Sequence, residues 1–154
     1  MAQGAQIDVG IEEVGAVKKM LARAPLSNAD RERLLQDVGQ IVEEQSKERF
    51  ETQQSPAGDT WKDLAEKTQA YYLRRGWTGR SLLVGEGLLR DSMTHDIKDG
   101  ALAVLVGATM VYAAVHQFGF AKKKIPARPY LGISQDDARA VENAAAAFLG
   151  RIIR

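Results

Sequence analysis

The chain contains no cysteine, which removes disulfides, thiolate zinc sites and cysteine nucleophiles together. That absence fits a reducing compartment. An excess of one charge is also missing, because 21 basic and 20 acidic side chains leave a formal net charge of +1. Dedicated nucleic-acid binders usually carry a strongly basic domain, so the balance argues against that class. No apolar run approaches the roughly 20 residues that cross a bilayer, and no membrane partner is expected. The stretch Met1-Ala2-Gln3-Gly4-Ala5-Gln6 lacks the basic and apolar regions of a secretory signal and is not expected to act as one. Histidine and proline are scarce, with two and four respectively, so the places where they occur stand out. The remainder is ordinary: 45% apolar and 27% charged residues, near the average for globular domains. At 154 residues the chain fits one domain, 1–154, of the commonest size, long enough to bury a core without staples.

Periodicity predicts the elements. Ile11, Val14, Val17 and Leu21 have helical spacing, so 1–25 reads as a helical N-terminal segment with its helix over Ile11–Arg23, ended by Pro25. Ser27 or Asn28 caps a second helix over Ala29–Glu51, whose stripe is Leu34, Leu35, Val38, Ile41 and Val42, continued by Gln45, Arg49 and Phe50. A Pro-Gly loop over Gln53–Thr60 follows. Trp61 and Leu64 are spaced to start a short helix that runs through Tyr71, Tyr72 and Leu73 and stops at Gly76. Arg74–Ser81 reads as an exposed, mobile loop. Ser92–Lys98 and Ala101–Gly107 alternate apolar and polar residues around Asp99-Gly100, a strong hairpin signal. Tyr112–Phe118 reads as a short helix or turn ended by Gly119. A last helix is expected over Gln135–Ile153, with Ser134 and Asp137 as a capping box. The fold class is α+β: a single domain with an antiparallel hairpin or small sheet packed against long amphipathic helices.

Two blocks dominate the second half: Tyr112-Ala113-Ala114-Val115-His116-Gln117-Phe118-Gly119 and Ile125-Pro126-Ala127-Arg128-Pro129-Tyr130-Leu131-Gly132. His116 could serve as a general base only with a partner and a cleft, and no carboxylate lies near it in sequence. The alternative is that His116 and Gln117 bond to backbone in a structural turn. His95 and Asp96 are adjacent on a predicted strand and point to opposite faces, which opposes a shared metal, and a solvated strand is expected. Glu43, Glu44, Glu48 and Glu51 read as a solvated helix face with a Glu43–Lys47 pair. Gly85-Glu86-Gly87 lacks the further glycine and the lysine of a phosphate loop. Two basic clusters remain, Lys122, Lys123 and Lys124, and Arg74, Arg75 and Arg80 beside Trp77. Both read as solvated loops. In a ring, either could line a channel and touch DNA phosphates without sequence preference.

An ordered series of short motifs resembles a known family. Phe50 precedes Pro56, Gly58, Trp61 and Leu64, then Thr68, Leu82-Leu83 and Gly87-Leu88-Leu89-Arg90-Asp91-Ser92 follow. Val106-Gly107, Tyr112-Ala113, His116-Gln117-Phe118-Gly119 and Ile125–Gly132 complete the series. Over 26–154 the chain resembles the phage virion morphogenesis family, the tail-completion proteins of Mu-like and P2-like bacteriophages. The resemblance implies a non-enzymatic structural virion protein without catalytic residues, metal or cofactor. It would be assembled in the host bacterial cytoplasm and would complete the tail and help join it to the head. It implies a ring of identical copies, commonly a hexamer, against neck or connector and tail-terminator or tail-tube proteins. Interfaces favour Trp, Tyr and Arg. The candidate assembly interface is therefore Trp61, Trp77, His116, Gln117, Phe118, Arg128, Pro129, Tyr130 and Leu131, with Trp61 equally able to cover the sheet. A small DNA-binding or packaging accessory protein is the alternative. A hydrolase ranks below both.

Overall fold

A computed structural model describes residues 6–10, 24–77, 82–84, 87–98, 100 and 103–153. In chain order these form β1 (Gln6–Gly10), α1 (Asn28–Thr52), α2 (Glu66–Arg74), α3 (Leu88–Asp91), β2 (Met93–Lys98), β3 (Ala103–Ala108), α4 (Ala113–Phe118) and α5 (Gln135–Ile152). A 3₁₀ turn over Ala121–Lys123 lies between the last two helices.

The predicted hairpin forms β2 and β3, paired antiparallel with His95 opposite Val106 and Ile97 opposite Val104. Gly100 takes a φ of 63° at the turn. The sheet has a third strand, because β1 pairs antiparallel with the other edge of β3, giving the order β1-β3-β2. The segment 1–25, read as helical with its helix over Ile11–Arg23, thus also holds a strand, Gln6–Gly10, that was not expected. The helix expected over Ile11–Arg23 lies outside the described residues. A five-residue edge strand bounded by glycine has too little periodicity to register against a longer helical pattern.

α1 forms where its stripe predicts. Ser27 is its N-cap and accepts from Asp30 N–H, and Leu34, Leu35, Val38, Val42 and Phe50 are buried beneath it. The helix packs on β2 and β3 through one flank and on α5 through another. Gly39 permits the closest approach: a Cβ there would lie 2.6 Å from the His95 ring and 2.8 Å from Val104. His95 is thus not a solvated strand residue. Its Nδ1 lies 2.6 Å from Glu43 Oε2 and its Nε2 lies 2.8 Å from Gln36 Nε2 of α1. Asp96 faces the opposite way and is exposed. Glu43 also accepts from Lys47 at 2.6 Å, the expected i,i+4 pair. Burial raises the Glu43 carboxyl, but the bonds from Lys47 and His95 outweigh it and hold the group below its ordinary value.

The helix expected to begin near Trp61 begins only at Glu66, and Trp61 and Leu64 lie in irregular chain before it. α5 starts on the predicted capping box between Ser134 and Asp137 and buries Val141, Ala145 and Phe148. Among the described residues no helix is long and apolar enough to cross a membrane.

Candidate assembly surface

The motif blocks are far apart in sequence and meet at one place. Gln117, buried on α4, stands in for a strand partner. Its Oε1 accepts from the N–H groups of Tyr130 and Leu131, both at 3.0 Å, and its Nε2 donates to the Leu131 carbonyl at 3.0 Å. The Arg128 N–H donates to the His116 carbonyl at 2.7 Å. Gly119, at φ 77°, leaves room for this: a Cβ there would lie 2.8 Å from Ala127 N. The expected backbone role of Gln117 is observed, and His116 contributes its carbonyl.

The segment after α1 joins the same frame. Trp61 Nε1 donates to the Pro129 carbonyl at 2.9 Å. The Arg128 guanidinium donates to the carbonyls of Lys62 at 2.7 Å and Asp63 at 2.9 Å. Pro56 packs against Gly132 so closely that a Cβ on the glycine would lie 2.6 Å from the proline ring. Phe50 of α1 meets Trp61 edge-on, with ring centroids 5.7 Å apart, and meets Tyr130 at 5.2 Å. Tyr130 is fully buried, its hydroxyl donates to the Ala113 carbonyl at 3.1 Å, and burial pushes its phenol pKa well up.

Arg49 closes the frame, a role that helical periodicity did not reveal. From the buried flank of α1 its guanidinium donates to the carbonyls of Tyr130 at 2.9 Å and Gly132 at 3.0 Å, and it pairs with Asp137. Asp137 in turn caps α5 by accepting from the Ser134 N–H at 2.7 Å. A charged residue at an apolar stripe position was the available signal, since buried charges require partners.

These placements turn much of the expected interface inward. The side chains of Trp61, Gln117, Arg128, Tyr130 and Leu131 are buried within the chain, and Pro129 is half-buried, so the Arg128–Leu131 block acts as a strut within the chain. His116 is half-buried and meets Tyr112 edge-on at 5.9 Å. Its Nδ1 has no hydrogen-bond partner among the described residues. Burial, and then the nearby Arg128 charge, lower its pKa, which favours a neutral imidazole.

Among the described residues, two aromatic groups face solvent. On the first, Val111, Tyr112, Phe118 and Phe120 are exposed, Phe118 by 69% and Val111 by 66%. Beside them Lys122 and Lys123 ride one 3₁₀ turn, and Lys124 caps its end. Phe120 and Ile125 exchange both backbone hydrogen bonds across it, at 2.8 and 3.1 Å. The lysine loop is therefore pinned at its base.

The second group is at the end of α2. Gly76 takes φ 69°, the Gly76 N–H donates to the Leu73 carbonyl at 3.0 Å, and the Trp77 N–H donates to the Tyr72 carbonyl at 2.9 Å. This is a Schellman ending, and it folds Trp77 back on the helix, 5.5 Å from the Tyr72 ring. The Arg75 guanidinium lies 5.1 Å from the Tyr71 centroid and 6.0 Å from that of Trp77. Arg74 is exposed beside them. Arg80 lies outside the described residues. The beginning of the expected mobile loop is thus an ordered aromatic and cationic cap.

A model of the phage virion morphogenesis family matches residues 12–150. The chain belongs to that family. It is 33% identical over 100 residues to the Mu-like prophage FluMu G protein 1 of Haemophilus influenzae, covering 64% of this chain and 66% of that one. It is 28% identical over 143 residues to the putative capsid assembly protein G of Escherichia phage Mu, covering 84% and 80%. An uncharacterized protein of Methanocaldococcus jannaschii is 40% identical over 73 residues, covering 46% and 53%. The chain thus spans just under two thirds of the Haemophilus relative and about half of the archaeal one. No solved structure matches it. Within the family's shared region, the motif residues that first suggested a surface mostly build the frame beneath it.

Proposed function

We propose that this chain is a structural virion protein of a tailed bacteriophage that completes the tail and joins it to the head. The family match over 12–150 carries this reading, because it establishes a virion morphogenesis protein. The frame supports it. A domain held by Gln117, Arg128 and Arg49 presents stiff aromatic caps, and stiff aromatic surfaces lose little entropy on docking. Copies of the chain would form a ring, with six as the expected number. Its neighbours would be neck or connector and tail-terminator or tail-tube proteins. Arg74, Arg75, Arg80 and Lys122–Lys124 would supply any non-specific contact with genomic DNA.

A second reading is capsid assembly, favoured by the name of the phage Mu relative. Disruption of the gene in its phage separates the two. Normal full heads accumulating beside unjoined tails supports tail completion, whereas malformed heads support the capsid reading. If the isolated protein stays monomeric and binds duplex DNA tightly at physiological salt, an accessory DNA-binding role replaces both.

A further inference from the structure

The charges of this near-neutral chain are segregated. Between Asp99 and Asp136 there is no acidic residue, while Lys122, Lys123 and Lys124 fall there, all exposed and none in an ion pair among the described residues. α1 has the opposite bias, with seven acidic and four basic side chains. On its outer face Asp37, Glu44 and Glu48 are exposed at helical spacing, with half-buried Ile41 between them. None of the three acids pairs with a cation among the described residues, and Glu44 only accepts from Gln40 at 2.9 Å. The stripe from Asp37 to Glu48 extends about 17 Å along the helix.

We propose that the knuckle formed by Phe118, Phe120 and the lysine turn docks on the outer face of α1 in a second copy of this chain. The proposal rests on the self-assembly reading above and names the two surfaces of the contact. The lysines meet Asp37, Glu44 and Glu48, and the phenyl rings cover Ile41 and the aliphatic stems of the stripe. Because the two faces differ, the contact is heterologous and propagates head to tail, the arrangement from which rings close. Charge complementarity selects this occupant: the other exposed aromatic group, at Tyr71 and Trp77, is flanked by Arg74 and Arg75 and would repel the lysines. DNA phosphates would suit the lysines alone and leave Phe118 and Val111 in water.

Sedimentation velocity on the full chain tests this. Wild type should associate, and its assembly should weaken as NaCl rises from roughly 0.05 M to roughly 0.5 M. The Lys122→Glu/Lys123→Glu/Lys124→Glu variant and the Asp37→Lys/Glu44→Lys/Glu48→Lys variant should each need roughly a hundredfold more protein to associate. Combining all six changes in one chain should restore assembly. All six positions are exposed, and unchanged circular dichroism melts would verify folding. Wild-type assembly by either reversed variant, or no recovery in the combined chain, overturns the proposal and leaves self-assembly standing. A wild type that is monomeric at every concentration overturns both. Loss of duplex-DNA binding in the lysine variant with its mass unchanged assigns the lysines to DNA and overturns the proposal.

Discussion

Gln117 makes three hydrogen bonds to two consecutive residues on a segment that shares no secondary structure with it. An amide carries an acceptor with two lone pairs and a donor side by side, so it can complete both halves of an unpaired backbone edge. Gln117→Ala would strand two N–H groups and one carbonyl in a buried site, and a stability loss of about 3 kcal/mol is expected in urea titrations. Gln117→Glu keeps the acceptor and loses the donor, so it should fall between alanine and wild type. His116 sets a pH dependence. Its folded pKa lies below the ordinary 6.5, so the unfolded chain binds the proton first as pH falls. Its contribution is complete above pH 6.5 and is lost on acidification toward the folded value. Stability curves measured between about pH 5 and pH 7 should fall less steeply on the acid side in His116→Gln than in wild type.

At the level of elements, α1 is the member to which the rest is fastened. Its apolar flank takes the sheet, and Arg49 and Phe50 take the 130–132 segment and the start of α5. Arg49→Met would leave the Asp137 carboxylate buried without its cation, and about 3–5 kcal/mol of destabilisation is expected by chemical denaturation. Adding Asp137→Asn should recover part of that loss. Recovery should stay incomplete, because Asp137 also caps α5. The end of α2 is a separate unit. Gly76→Ala forces a side chain into a left-handed turn and should cost about 1 kcal/mol. It should also raise the accessibility of Trp77 to an aqueous fluorescence quencher while the core melts nearly as before.

At the level of the whole molecule, the proposed assembly role rests on what the frame presents. Trp77 is exposed yet oriented by the Schellman ending and by the rings of Tyr71 and Tyr72. Trp77→Ala should leave the thermal melt almost unchanged and reduce the yield of joined, infectious particles by tenfold or more, the scale of a mid-sized interface hot spot. Normal particle yield from that variant would remove Trp77 from the assembly surface. The Trp61→Ala outcome should be the reverse in kind: loss of the buried ring and of its bond to Pro129 should cost about 3–5 kcal/mol of folding stability.

Much of the architecture could be read from local pattern. Helical spacing located α1 and α5, Ser134 and Asp137 located a cap, Gly76 ended α2, and alternation around Asp-Gly located the hairpin. Each is a preference acting over a few residues, so the local order of residue types suffices to reveal it. The ordered motifs also determined the family. What only the tertiary structure decided was the direction in which the motif residues face. Trp61, Arg128, Tyr130 and Leu131 have the composition of a contact surface, and composition cannot tell an interface between chains from one within a chain, because both bury aromatics and satisfy arginine with carbonyls. The pairings Gln117 with Tyr130–Leu131, Arg128 with Lys62–Asp63 and Arg49 with Asp137 join segments that are distant along the chain. Once those contacts turn the motif inward, Phe118, Phe120, the lysine turn and Trp77 are among the described residues left exposed.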